Sequence, residues 1–116
     1  EEEIFNKNTF DQNTSLITEY GNRMTLWGCE ELGEKQTGYD ANDCLPGQSF
    51  FWSVGQTPTN VPSGVQGGRI YCFKGYASSG RFQFCFNYPT NVTRIYFRNY
   101  FAGTWGVWKY ITLTNV

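Results

Sequence analysis

The chain has 116 residues, of which 19% are aromatic and 16% charged, and its formal net charge is −1. That length is enough for one domain and not comfortably for two. Histidine is absent, which excludes Ser-His-Asp and Cys-His nucleophile systems and any histidine-bearing zinc site.

Ten Phe, eight Tyr and four Trp are accompanied by thirteen Gly. Aromatic and β-branched residues fit a pleated, half-buried surface, while Gly, Asn and Ser supply turns. The composition therefore predicts a mostly β domain of short strands. No apolar run approaches the roughly 20 residues of a membrane span, so no membrane insertion is expected. All ten acids lie within the first 43 positions, with only Lys7, Arg23 and Lys35 to offset them, so that segment carries −10 + 3 = −7. Residues 44–116 hold six bases and no carboxylate side chain, a charge of +6. Glycoside hydrolysis by a carboxylate pair would need both acids from the first 43 residues. No GxxxxGK[ST] phosphate loop occurs.

In chain order, "EEEIFNKN" lacks the basic start and apolar stretch of a signal peptide; it reads as a boundary inside a longer chain. Residues 1–24 are polar, and residues 1–38 as a whole read as a shaft end or linker. "MTLW" (24–27) begins a short strand, and "GCEELGEKQTGYD" reads as an exposed loop or strand-turn. In "DANDCLPGQ", Asp40 or Asn42 caps one short helical turn that Pro46-Gly47 ends. "SFFWSV" (49–54) is the first firm strand, followed by the long loop "GQTPTNVPSGVQGG". "RIYCFKGY" and "RFQFCFNY", joined by "ASSG", form a hairpin. In a regular hairpin Phe82, Phe84 and Phe86 share one face, and Gln83 and Cys85 the other. After the "PTN" turn, "VTRIYFRNY" places Arg94, Tyr96 and Arg98 on one side and Ile95 and Phe97 on the other. That Arg-Tyr-Arg face is either solvated or a recognition surface. "FAGT" turns again and "WGVWKYITLT" closes the domain. Strict alternation sets Trp105 and Trp108 on opposite faces, whereas a bulge at Gly106 brings them to one face.

Cys29, Cys44, Cys72 and Cys85 form no CxxC pair, so a four-cysteine zinc site is not expected. Cys72 and Cys85 fall on facing runs, where a disulfide is an alternative to two buried free thiols. Free thiols are the favoured reading, since Cys is among the most commonly buried residues.

"YDANDCLPGQSFFW", "TNVPSGVQGGRIYCF", "RFQFCFNY" and "TRIYFRNYFAGTWGVWKYI", in this order, resemble the pyocin-knob family of phage and bacteriocin tail-fibre domains. The matching positions are Asp40, Asn42, Asp43, Pro46, Gly47, Asn60, Pro62, Gly67, Gly68, Gln83, Tyr96, Arg98, Trp105 and Trp108, and the resemblance spans about residues 39–111. It does not reach residues 1–38, Cys44, Cys72 or Cys85. It implies a knob at 39–116: a small antiparallel β-meander or sandwich-like fold with one short helical turn, displayed on a homotrimeric fibre. It further implies a noncatalytic role at a bacterial surface glycan or lipopolysaccharide, or as a spacer of the fibre tip, with no cofactor. Such fibres are assembled in the host cytoplasm, act outside it as part of the virion, and would keep their thiols reduced.

Trp105 and Trp108 belong to the matched pattern and are assigned, with Arg98, to architecture. Arg98 is expected to pair with backbone carbonyls or with an acid from the first half. Receptor contacts are expected on loops: Trp52, Gln56 and Asn60 near the long loop, Tyr76 and Arg81 around "KGYASSGR", and Tyr100 beside "FAGT". Asp40, Asn42 and Asp43 have oxygen-ligand character but lack calcium-loop spacing, so a cap is preferred to a metal site.

Two other readings rank lower. "KGYA" (74–77) begins like an RNA-recognition signature, and arginines interleaved with aromatics suit single-stranded nucleic acid; "SSGR" then breaks the signature, so no nucleic-acid partner is expected. A glycan depolymerase accessory role would draw on Glu30, Glu31 and Glu34, which read as a solvated loop.

Overall fold

The computed structural model describes residues 29–77, 79–87 and 92–116. The expected strand at 24–27 and the "PTN" turn lie outside these residues. The strands are β1 (Glu30–Glu34), β2 (Gln48–Trp52), β3 (Gly68–Lys74), β4 (Arg81–Asn87), β5 (Arg94–Phe101), β6 (Thr104–Trp105) and β7 (Lys109–Thr112). They form one sheet in the order β1-β2-β3-β4-β5-β6, with β7 also paired to β5. Every pairing from β2 onward is antiparallel. The fold is thus mostly β, with one helical element among the described residues, the 3₁₀ turn Ala41–Asp43. Among the described residues it is a meander, with loops over its inner face.

One compact unit runs from Glu31 to Val116. Residues 30–34, expected in a loop or strand-turn, are edge strand β1. The Arg69 guanidinium on β3 grips Glu31 through both nitrogens at 2.6 and 2.8 Å, and Ser49 donates to the same carboxylate at 3.2 Å. These hydrogen bonds, with the charge of Arg69, hold the Glu31 carboxyl below its ordinary range.

Register decides which face is buried. Ile70 lies opposite Cys85 and Cys72 opposite Gln83, while Cys85 and Gln83 lie opposite Tyr96 and Arg98. All six are buried. Phe82, Phe84 and Phe86 share a face as expected, and it is the outer one. There Phe73, Phe82, Phe84 and Phe97 retain 38–43% of their accessible surface, and Phe73 and Phe84 meet edge to face at 5.7 Å. The inner face carries thiols, an amide and a guanidinium, and the turn at 41–43 brings the Ala41 carbonyl to Gln83 and the Asn42 amide to Arg98.

That cover is built from polar pairing. Asp40 caps the 3₁₀ turn by accepting from the Asn42 N–H at 2.8 Å. Residues 39–41 and the 53–67 loop then join through Ala41 N–H to Thr59 O at 2.9 Å and Thr59 N–H to Tyr39 O at 2.8 Å. This brings Ala41, Cys44 and Val65 onto Phe50, Trp52 and Ile70 to form the core. Cys29, Cys44, Cys72 and Cys85 are all buried thiols without a disulfide. Cys72 and Cys85 are diagonal neighbours on the inner face rather than directly opposed, and burial pushes the Cys85 thiol up to about 12.

The β5–β6 turn is Ala102-Gly103, with φ of 52° and 81°. Positive φ at both central residues is the type I′ pattern that Asn-Gly satisfies and alanine resists. Ala102→Asn should stabilise the domain by about 0.5–1 kcal/mol, raising Tm by a few degrees; an unchanged or lower Tm in calorimetry would contradict this. A second prediction concerns acid. The depressed Glu31 group stabilises the fold above its ordinary pKa of 4.5, and that contribution disappears as pH falls through the lower folded value. Denaturant midpoints of Glu31→Gln should accordingly fall less between pH 5 and pH 3 than those of the parent.

Candidate cation–aromatic groove

The site begins with a mismatch in the ladder. Trp105 lies opposite Tyr100 and Lys109 opposite Phe97. Four steps on the last segment (109 − 105) therefore face three on β5 (100 − 97). The extra residue brings Trp105 and Trp108 to the same side, which resolves the two arrangements left open by the sequence. The Gly106 N–H donates to Asn99 O at 2.7 Å within this bulge. A Cβ at Gly106 would approach Asn99 Oδ1 to 3.0 Å.

Both indoles close on Arg98, whose guanidinium carbon lies 3.8 Å from the Trp105 ring centroid and 4.7 Å from that of Trp108. Arg98 is only 5% exposed. Its hydrogen-bond partners are neither backbone carbonyls nor acids. Nε donates to Gln83 Oε1 at 2.9 Å and Nη2 to Asn42 Oδ1 at 2.8 Å. Gln83 is fixed in turn by donating to Ala41 O at 2.8 Å. Burial pushes the Arg98 guanidinium down to about 10, with Asp40 acting in the opposite direction; it remains cationic at neutral pH.

Trp108 is pinned from its other edge. Its indole N–H donates to Asn60 O at 2.9 Å. Asn60 has a left-handed φ of 63°, and its side-chain amide donates to Asp40 Oδ1 at 2.9 Å. Asp40 and Asn42 thus serve as cap, loop anchor and arginine ligand. Among the described residues no group of acids, cysteines or histidines is placed to hold a metal.

Between the 60–63 loop and residues 105–108 lies a groove of about 590 Å³. Arg94, Tyr96 and Arg98 of β5 line it together with Tyr110 of β7. Tyr110 is 52% exposed. The Arg94 guanidinium stands 4.2 Å over the Tyr110 ring, and Tyr96 and Tyr110 are 5.7 Å apart, centroid to centroid. The groove thus offers aromatic faces, two cations and the polar edges of Asn60 and Ser63. Among the described residues no carboxylate lines it.

The sequence-level candidates divide. Asn60, Trp105, Trp108 and Arg98 meet at the groove. Trp52 is 0% exposed and belongs to the core beside Phe50, which corrects its assignment as a receptor contact. Gln56 is exposed but outside the groove lining. Tyr76, 87% exposed, packs against Phe101 beside a separate shallow hollow. Arg81 clamps the carbonyls of Asn42 and Cys44 at 2.8 and 3.3 Å, and Tyr100 supports Trp105 at 5.0 Å; both buttress the site from behind. Glu31 and Glu34 lie on β1, the strand farthest from β5–β7 in the sheet. Tyr110 escaped sequence reasoning, although its spacing of two from Trp108 is a readable signal once the bulge is placed.

Family models, curated proteins and solved structures yield no match to this chain. No described helix is long and apolar enough to cross a membrane.

Removing Arg98 strands the buried amide oxygen of Gln83 and the half-buried one of Asn42, and takes away a contact of two indoles. Arg98→Ala should cost on the order of 3 kcal/mol in denaturant unfolding. A loss below about 1 kcal/mol, the size of one ordinary hydrogen bond, would contradict this account of the site.

Proposed function

We propose that this domain is a noncatalytic attachment module that binds saccharide in the groove between the 60–63 loop and Trp108. The observation that carries this reading is the combination of partly exposed aromatic faces at Trp108 and Tyr110 with fixed polar donors and acceptors around them. Apolar faces of pyranose rings pack on such rings, while sugar hydroxyls take the adjacent Arg, Asn and Ser groups. Among the described residues the lining offers no carboxylate pair for glycosidic cleavage, and the Glu31 carboxylate is engaged by Arg69. Holding rather than cutting is what these side chains are suited to.

The sequence resemblance to pyocin-knob domains extends this to a virion tail-fibre domain that contacts a bacterial surface glycan, displayed as a homotrimer. In such a display, weak contacts multiply, because linked sites raise avidity by ~10² or more over a single one. The exposed phenylalanines of β3, β4 and β5 favour assembly, since contiguous apolar surface of this kind marks association sites. A monomer in analytical ultracentrifugation of the intact fibre protein would count against threefold display.

Binding itself is testable with purified host surface polysaccharide. Tyr110→Ala should weaken it about tenfold, the loss expected of one stacking ring. Unchanged affinity in that variant, or release of reducing ends by the parent protein, would defeat the reading.

A further inference from the structure

The saccharide reading gives the two arginines hydroxyls to bond but makes no use of their charge, since stacking and hydroxyl recognition need none. Resting on that reading, we infer that the groove selects an acidic saccharide chain, one bearing carboxylate or phosphate groups at intervals along its length.

Arg98 is a buried cation whose contacts are two side-chain amides and two indoles. Its Nη1 makes no hydrogen bond with the described residues, and the residue lines the groove. A buried charge without a counter-ion is costly unless it is paired. Asp40 is the acid that acts on it, yet Asp40 Oδ1 is occupied by Asn42 and Asn60. An anion entering the groove supplies what the protein withholds.

Arg94 provides the second charge. It is exposed, rests on the Tyr110 ring at 4.2 Å, and its guanidinium has no hydrogen bond or ion pair with a described residue. Arg94 and Arg98 are four residues apart on one face of β5, a Cα separation of about 13 Å at the rise of an antiparallel strand. Tyr96 lies between them on the same face. Two cations at that spacing, with aromatic surface between and beside them, fit repeated acid groups on a chain better than a single small anion. The planar guanidinium also matches carboxylate and phosphate geometry.

The test is calorimetric titration of the intact protein with hexagalacturonate, with the same hexamer fully methyl-esterified, with a phosphorylated hexasaccharide and with the oligonucleotide (dT)6. The acidic saccharides should bind at least tenfold tighter than the neutral ester. Arg94→Gln, an exposed change, should lower affinity for the acidic chain severalfold and for the ester by much less, so that the preference for acid over ester shrinks; Arg94→Lys should recover part of that preference. Equal affinity for acid and ester, or an Arg94→Gln variant that keeps the preference, overturns the acidic selectivity while the saccharide reading stands. Binding of no saccharide removes both. Tighter binding of (dT)6 than of any saccharide overturns both in favour of nucleic acid.

Discussion

A single buried guanidinium organises this domain. Arg98 is reached by an amide from β4, an amide from the 3₁₀ turn and two indoles from the last segment. Each comes from a different stretch of chain, and each has other commitments. Gln83 anchors the turn through Ala41, and Trp108 anchors the long loop through Asn60. Because the partners are neutral, the charge must be stabilised by dipoles and ring quadrupoles rather than by an opposite charge in contact. Such an arrangement tolerates little displacement, which makes the walls of the groove rigid.

Rigidity of this kind bears on recognition. The groove floor is a strand in the middle of a hydrogen-bonded ladder, and one wall is a loop fixed at Thr59 by backbone bonds and at Asn60 by Asp40. Ordering side chains on binding costs conformational entropy, and preorganised side chains avoid much of it. The outer face of the sheet has the contrary character: its phenylalanines contact one another and remain half open to solvent. One sheet therefore presents a structured polar-aromatic side and a plain apolar side.

Much of the architecture was legible from local chemistry. Asp40 as a cap, the β3–β4 hairpin, the turn after Phe101 and the shared face of Phe82, Phe84 and Phe86 each follow from a few neighbouring residues. What escaped depends on distant partners. Alternation said which residues of β4 go together, but not that the face bearing Gln83 and Cys85 would be covered, because the covering loops lie about forty positions upstream in the case of Ala41. Trp52 sits on a strand flanking a loop, and only the packing of Phe50 and Val65 around it makes it core. The same holds for β1: nothing in "EELGE" alternates clearly, and its place in the sheet is secured by Arg69 and Ser49. Arg98 was recognised as structural from the family resemblance, yet its amide ligands could be assigned only once the register set Gln83 opposite it.

The charge split along the chain has a consequence of its own. Residues 44–116 contain neither a carboxylate side chain nor a histidine, so the side-chain charge of this stretch comes from arginine and lysine alone. The described lining of the groove therefore presents cations without an acid beside them. Any acid that balances those cations at the groove must come from the first 43 residues or from another molecule.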